Sequence, residues 1–501
     1  MSLDSPAGIV RELTKRGYNA EHDAVTLIAE APDPNSAIEE ALRELPADAL
    51  TLSADHVRSV LDAETPVTTC VSPGDDTTTT ERDSTTEAKG VTGASTADHH
   101  SGSQSVAFEN DVTGESTGTG SYRDFVSVFR DRYERLSSTL RSRVNHRPTS
   151  SIEDMSGGSE AGLVGLVSDL RSTANGHWLL ELEDTAGTFP CLITKDKEIA
   201  ALVDEILLDE VVAVDGRLAD DGGVLFVDSL HFPDVPRTFD PSTADRHVRA
   251  ALVSDVHVGS QEFLAEAWER FADWLHTPEA EAVEYLLIAG DMVEGVGVYP
   301  GQDEELDVVD IYEQYETFSE HLKDVPGEME IVMIPGNHDA VRLAEPQPAF
   351  DDELRSIMSA HDARFTGNPS FVTLEGVTFL LYHGVSLDEI IAEIPDATYD
   401  DPHEAMYHLL RKRHLAPQFG ERTRIAPEKR DYMVIDEVPD VFHAGHVHKL
   451  GYGRYHNVTT INSGCWQAQT AFQRSHNIDP DVACAPIVDL DTLDVTIRKF
   501  A

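Results

Sequence analysis

Seven residues in the C-terminal half of this 501-residue chain have the types and spacing to hold two metal ions. They are Asp255 and His257 in Ser254-Asp255-Val256-His257, Asp291 in Gly290-Asp291, Asn337 in Pro335-Gly336-Asn337-His338-Asp339, His383 in His383-Gly384, and His446 and His448 in Gly445-His446-Val447-His448. Two divalent ions about 3.5 to 4 Å apart need a bridging carboxylate, terminal imidazoles and carboxyl or amide oxygens, with positions left open for substrate and water. The chemistry of such a pair is phosphodiester hydrolysis by in-line attack of an activated water. With 22 histidines in the chain, one strand-end histidine says little. Five such segments in succession, DxH, GD, GNHD, HG and GHxH, are a different matter, because each supplies ligands the others lack.

The positioning elements are legible too. Each segment follows a short apolar run of buried-strand type: residues 250–253, 285–289, 331–334, 379–382 and 441–444. From His247 onward these strands alternate with helical stretches and end in charged loops, the pattern of an α/β sandwich.

On these motifs residues 250–475 resemble the calcineurin-like metallophosphoesterases. The resemblance implies a four-layer αββα sandwich. It also implies that Asp255, His257, Asp291 and His448 hold one ion, that Asp291, Asn337, His383 and His446 hold the other, and that Asp291 bridges. His338 looks like the family's imidazole that stabilises the transition state or protonates the leaving oxygen, so His338 and Asp291 are the catalytic candidates. The plainer reading of His338 is a loop histidine bonded to Asp339. A mixed nitrogen and oxygen shell suits Mn²⁺ first, with Zn²⁺ or Fe²⁺ as alternatives.

Three further segments narrow the family. Residues 290–302 (GDMVEGVGVYPGQ), 413–417 (RHLAP) and 462–467 (NSGCWQ) are similar to signatures of replicative polymerase small subunits, the archaeal D-family above all. That resemblance implies a heterodimer with a large subunit that performs synthesis, contact with DNA and with a sliding clamp, and a proofreading 3′-to-5′ exonuclease acting on single-stranded or mismatched ends. Two positions depart from related patterns. Glu294 stands where repair nucleases of the superfamily carry a histidine, and Cys465 where Thr is expected. Two other functions are open: a scaffold subunit whose metal site is vestigial, and a free-standing repair nuclease or phosphodiesterase.

The rest of the chain reads as separate modules. Residues 1–65 form a small helical domain, with helices opening at Ser5-Pro6, over 37–45 and over 55–61. Residues 66–120, in which 27 of 55 positions are Thr, Ser or Gly, form a disordered tether. Residues 121–150 carry a basic amphipathic helix. Within 160–240, five short strands with a helix after the third suit an OB-type barrel, on which Trp178 and Phe226 either stack bases or fill the core. Residues 247–501 hold the phosphoesterase domain.

Charge at first opposes a nucleic-acid function. With 91 acidic and 38 basic residues the formal charge is −53. An evenly spread excess would repel a polyanion, whereas in a high-salt, halophilic cytoplasm it keeps the surface hydrated and a Debye length of about 3 Å at 1 M hides it. Fourteen of the 38 basic residues lie in 121–147 and 405–430, among them Arg132, Arg411, Lys412, Arg413, Arg422 and Arg424. They contact phosphates, dock a partner, or pair with the acid excess. Four cysteines without CxxC spacing indicate a reducing compartment, and the absence of a signal peptide or a long apolar run indicates a cytoplasmic, nucleoid-associated protein that enters no membrane.

Overall fold

The computed structural model describes residues 106–501 apart from 116–117, 300, 421 and 476–477, and within the first 105 residues only 9, 19–20, 22–31, 34–44, 51–52 and 57–58. The chain divides into two units, Met1–Asp98 and His99–Ala501. In the first, helices His22–Glu30 and Pro34–Glu44 and a parallel pairing of Asn19–Ala20 with Thr51–Leu52 accompany a small core of Ile9, Ala24, Val25, Ile28, Ile38, Ala41 and Val57. The helix expected over 37–45 starts at Pro34, whose missing N–H is no loss at a first helical position. The helices expected near Ser5 and over 55–61 fall largely outside the described residues, as does the tether over 66–105.

The last part of that predicted tether is ordered. In the second unit β1 (Ala107–Glu109) pairs antiparallel with residues 371–373. Val106 and Val112 are buried beside it, so a short apolar pattern prevails over the surrounding Thr and Gly.

The basic helix α1 spans Tyr122–Leu140. At its start Ser121 N–H donates to Asp124 Oδ2 at 2.6 Å. Its apolar face, Tyr133, Leu136 and Leu140, packs on Val164, Val211 and Ala213 and on Val434. Those first three lie in a closed barrel of β2 (Glu160–Ser172), β3 (Trp178–Asp184), β4 (Gly187–Ile193), β5 (Val211–Leu218) and β6 (Leu225–His231), ordered β2-β3-β4-β6-β5 and closed by β2 against β5. A 3₁₀ turn at Glu198–Glu205 occupies the place of the helix expected after the third strand. Trp178 packs against the barrel core, and Phe226 faces outward, 38% exposed.

The remainder forms two six-stranded sheets. The first contains β7 (Arg249–Val253), β8 (Val283–Ala289), β9 (Glu330–Ile334), β10 (Arg364–Phe365), β16 (Cys484–Asp489) and β17 (Val495–Lys499), in the order β10-β9-β8-β7-β16-β17. The second adds β11 (Ser370–Leu374), β12 (Val377–Leu381), β13 (Val441–Ala444), β14 (Leu450–Tyr455) and β15 (Val458–Ser463) to β1, in the order β14-β15-β13-β12-β11-β1. Side chains from both sheets, among them Leu252, Leu287, Val332, Phe379, Leu381 and Val441, share one core. Helices α2 (Ala265–Leu275) and α3 (Ile311–Lys323) cover the far face of the first sheet, and α4 (Leu387–Glu393) and α5 (Pro402–Lys412) that of the second. Strands buried on both faces must be apolar throughout, which is why the runs ahead of the motifs do not alternate. In the first sheet β7, β8 and β9 are mutually parallel, and in the second β12 and β13 are, so all five motifs emerge from the same kind of end, the C-terminal end of a parallel strand.

Much of the basic charge is spent inside this unit. Arg132, fully buried, reaches Asp431 Oδ2 at 2.7 Å and the carbonyl oxygens of Asp209 and Pro417. Lys412 is buried against Glu210 at 2.9 Å, Arg411 pairs with Glu205, and Arg413 donates to the carbonyls of Ile435 and Asp436. For these four the phosphate-contacting expectation is corrected: they join α1, the barrel and the second sheet. Arg123, Arg130, Arg147, Arg422, Arg424, Lys429 and Arg430 remain on the surface. Among the described residues no helix is long and apolar enough to cross a membrane, and Cys191, Cys465 and Cys484 are free and buried.

Candidate metal centre

The five strand ends converge on one cluster. Asp255, His257 and His448 bring ligand atoms within 4.8 Å of one another, and so do Asp255, Asp291 and His383. Asp255, His257, Asp291 and His383 are 0 to 2% exposed. Asn337, His338 and His446 are half-buried and leave the cluster open on their side.

Strain and close packing hold these groups. Asp255, His257, Asp291, His446 and His448 all have φ between 52° and 70°, a backbone region that costs non-glycine residues of order 1–3 kcal/mol and persists only where surrounding structure enforces it. The glycines of the motifs have a matching reason. A Cβ on Gly290, whose φ is 90°, would lie 2.6 Å from His383 Nδ1, and one on Gly336 would collide with Asp291 Oδ1.

Asp291 sits at the centre. Its Oδ1 accepts the His338 main-chain N–H at 2.8 Å, and its Oδ2 lies 3.9 Å from His257 Nε2 and 3.2 Å from His383 Nε2. On one side His448 Nε2 stands 3.4 Å from Asp255 Oδ1 and 3.0 Å from His257 Nε2. On the other, Asn337 Oδ1 is 2.9 Å from His383 Nε2. A cation held at about 2.1 Å spaces neighbouring ligand atoms about 3.0 to 3.5 Å apart, so most of these separations match the edges of coordination polyhedra. His446 is adjacent rather than central: its ring centroid is 5.2 Å from that of His383, and its Nε2 faces Asp388 Oδ2 at 3.4 Å. The donor set fits two divalent cations.

Electrostatics point the same way. Burial pushes the Asp291 carboxyl up, but His383 and His338 outweigh it and hold it well below the usual carboxylate range. Burial draws the imidazoles of His257 and His448 down, and Glu294 for the first and Asp255 for the second more than restore them, so both are raised. His383 is lifted to about 10 against its burial, chiefly by Asp291. Ionised carboxylates out of water require a compensating cation, and here the field that would protonate three imidazoles is equally one that attracts metal.

His338 does not bond Asp339. Its Nδ1 donates to the main-chain oxygen of Glu294 at 2.7 Å, while Asp339 turns inward to accept from Asp291 N–H and Gly336 N–H, both at 2.8 Å, and from Tyr315 OH at 3.0 Å. Burial and the charge of Asp291 raise the Asp339 carboxyl to about 7. Sequence reasoning missed Asp339, Asp388 and the carbonyl of Glu294. The first was visible beside the Asn337-His338 pair, and no local signal marked the other two. Cys465 lies fully buried at a strand end, as a packing residue does.

Fold and cluster together define a multidomain α/β protein in which a closed β-barrel accompanies a candidate dinuclear metal centre. Residues 250–450 match the family model for the B-type subunit of DNA polymerases alpha and epsilon. The chain is 65% identical over its whole length to the DNA polymerase II small subunit of Halobacterium salinarum, all of which is covered. It is 44% identical to that of Archaeoglobus fulgidus over 74% of this chain and 76% of the relative, and 39% identical to that of Pyrococcus furiosus over 74% and 62%. The chain belongs to the DNA polymerase II small subunit family, the D-family of the archaea.

Proposed function

We propose that this chain is the 3′-to-5′ exonuclease subunit of a heterodimeric DNA polymerase, hydrolysing single-stranded or mismatched ends, and that a large catalytic subunit performs the synthesis. The layered sheets are read as a calcineurin-like phosphoesterase sandwich and the barrel as an OB fold. The observation that carries the proposal is Asp291 Oδ2 set between His257 Nε2 and His383 Nε2, where one oxygen serves both halves of the cluster.

Asp255, His257, Asp291 and His448 would hold one cation and Asp291, Asn337, His383 and His446 the other. When bound, such a pair neutralises charge on the phosphoryl oxygens and acidifies a water, and Mn²⁺ is the first choice for this donor set. His338, with Nδ1 committed to a carbonyl, keeps Nε2 for the proton exchanged with the leaving oxygen. The half-buried side at Asn337, His338 and His446 admits the strand end. The exposed cations Arg422, Arg424 and Lys429 and the outward Phe226 are available to DNA, to the large subunit or to a sliding clamp.

The test is digestion of single-stranded and mismatched primers by the purified chain and by the holoenzyme, with Mn²⁺ at high salt. Asp291→Ala should abolish shortening in both. A wild-type chain that binds two ions yet shortens neither substrate, alone or in the holoenzyme, would leave the scaffold reading in its place. A wild-type chain that degrades DNA but joins no larger partner would favour a free-standing nuclease.

A further inference from the structure

Glu294 is a carboxylate of the centre that lies outside the ligand set, and two of the family signature segments meet on it. It is 2% exposed. Its Oε2 faces His257 Nδ1 at 2.8 Å and accepts from Gln467 Nε2 at 2.7 Å. Its Oε1 accepts from Tyr299 OH at 3.2 Å and from Gln302 Nε2 at 3.3 Å. Tyr299 and Gln302 belong to residues 290–302 and Gln467 to residues 462–467, so segments about 165 positions apart in sequence supply one cage.

The peptide carrying this side chain is fixed as firmly. Glu294 N–H donates to Val258 O at 2.9 Å, and the next N–H, of Gly295, donates to Gln314 Oε1 at 2.9 Å. Between them the Glu294 carbonyl accepts from Gln302 Nε2 at 2.9 Å and from His338 Nδ1 at 2.7 Å. A carbonyl oxygen can only accept, so His338 Nδ1 carries its proton and the ring's other nitrogen is the one presented outward. The side chain of Glu294 acts likewise on His257, whose Nδ1 faces the carboxylate while Nε2 points at Asp255, Asp291 and His448. A carboxylate behind a ligating imidazole fixes its tautomer and strengthens it as a ligand.

We propose that Glu294 is the positioning residue of this centre, orienting the ligand His257 through its carboxylate and the proton-handling His338 through its carbonyl, with Tyr299, Gln302 and Gln467 as its cage. This rests on the metal-centre reading and adds the part played by the signature segments. Glutamate at this position replaces direct substrate-side positioning, as a histidine there would give, with support from behind both imidazoles.

The experiment is a Mn²⁺ titration of the purified full-length chain, counting ions per chain and fitting each affinity, together with primer digestion. Wild type should bind two ions. Glu294→Gln should bind one of them about 10- to 100-fold more weakly, with kcat lowered by a similar factor and KM for the primer unchanged. Its metal-free melting temperature should stay near that of wild type, which a merely structural role would not allow. Gln467→Ala, which leaves the carboxylate but removes its shortest donor, should weaken the same ion by a smaller factor and serves where Glu294→Gln does not fold. Wild-type affinity for both ions in the folded variants would overturn the proposal while leaving the metal centre intact. A wild-type chain that binds no Mn²⁺ would instead overturn the metal-centre reading and this inference with it.

Discussion

Arg132 Nε donates to Asp431 Oδ2 across 2.7 Å, and neither side chain is more than 1% exposed. The same carboxylate oxygen takes His414 Nε2 at 2.8 Å. An arginine from the basic helix α1 and a histidine from the RHLAP signature therefore converge on one acid. What looks like a nucleic-acid patch along the chain is, at this point, an internal joint between α1, the barrel and the second sheet.

Arg132→Met leaves Asp431 buried with a single partner, and losing one member of a buried pair costs about 3–5 kcal/mol. Chemical denaturation at high salt should show that loss, and DNA affinity at a given salt should change little. A stability near wild type with a flattened salt dependence of binding would mean that Arg132 contacts phosphate after all.

The exposed cations should behave in the opposite way. Replacing Arg422 or Arg424 by Gln leaves stability within about 0.5 kcal/mol. If the strand crosses this surface, each replacement lowers the slope of log K against log salt by about 1. Fluorescence anisotropy of a labelled single strand across a salt series reads this directly, and unchanged slopes would assign these residues to another partner.

His338→Gln should lower the primer-digestion rate by about 10²- to 10⁴-fold, the usual worth of a positioned acid or base, with two Mn²⁺ still bound per chain. Loss of an ion in this variant would make His338 a ligand, as its nearness to His257 and Asp291 permits.

Adding Mn²⁺ should raise the melting temperature, because a ligand that binds only the folded state stabilises it, by about 2.7 kcal/mol at a hundred times its Kd. Chelation should reverse the rise. Asp291→Ala should show neither change, and an equal response in that variant would place the ions elsewhere.

Stability should fall with acid in a defined window. Burial, aided by Arg132, pulls the His414 imidazole down to about 4, so below its ordinary value of 6.5 the unfolded chain takes a proton that the folded chain refuses. The unfolded state then binds more protons, and stability declines as pH drops from about 6.5 to about 4. Asp431, held far below the usual carboxylate range, keeps its contribution through that window and loses it only in stronger acid. Denaturation midpoints at pH 7.5 and 5 should differ more for wild type than for His414→Asn, and equal differences would remove His414 as the cause.

The chain's own order of residues made the centre legible. DxH, GD, GNHD, HG and GHxH each sit just past an apolar run, and short runs buried on both faces could only be interior strands, so ligand types and strand ends were both readable. The five barrel strands were readable for the same reason. The order of Ala107–Glu109 was hidden because composition averages over a window, whereas a three-residue strand needs only a partner edge and two buried valines. Charge misled for Arg132, Arg411, Lys412 and Arg413, because a sequence shows how many cations a segment has and not what lies opposite them.

Sequence by itself determined which atoms are available to bind metal and that they lie at the ends of strands, since both follow from local composition and period. Only the tertiary structure decided that Asp291 Oδ2 stands between His257 and His383, that Asp339 turns away from His338, and that Glu294 reaches His257 with its carboxylate and His338 with its carbonyl. These relations depend on how two sheets bring separate strand ends together and on left-handed backbone at Asp255, His257, Asp291 and His448. A side chain's partner is set by separations of a few ångströms between segments up to about two hundred residues apart, and no local pattern encodes those.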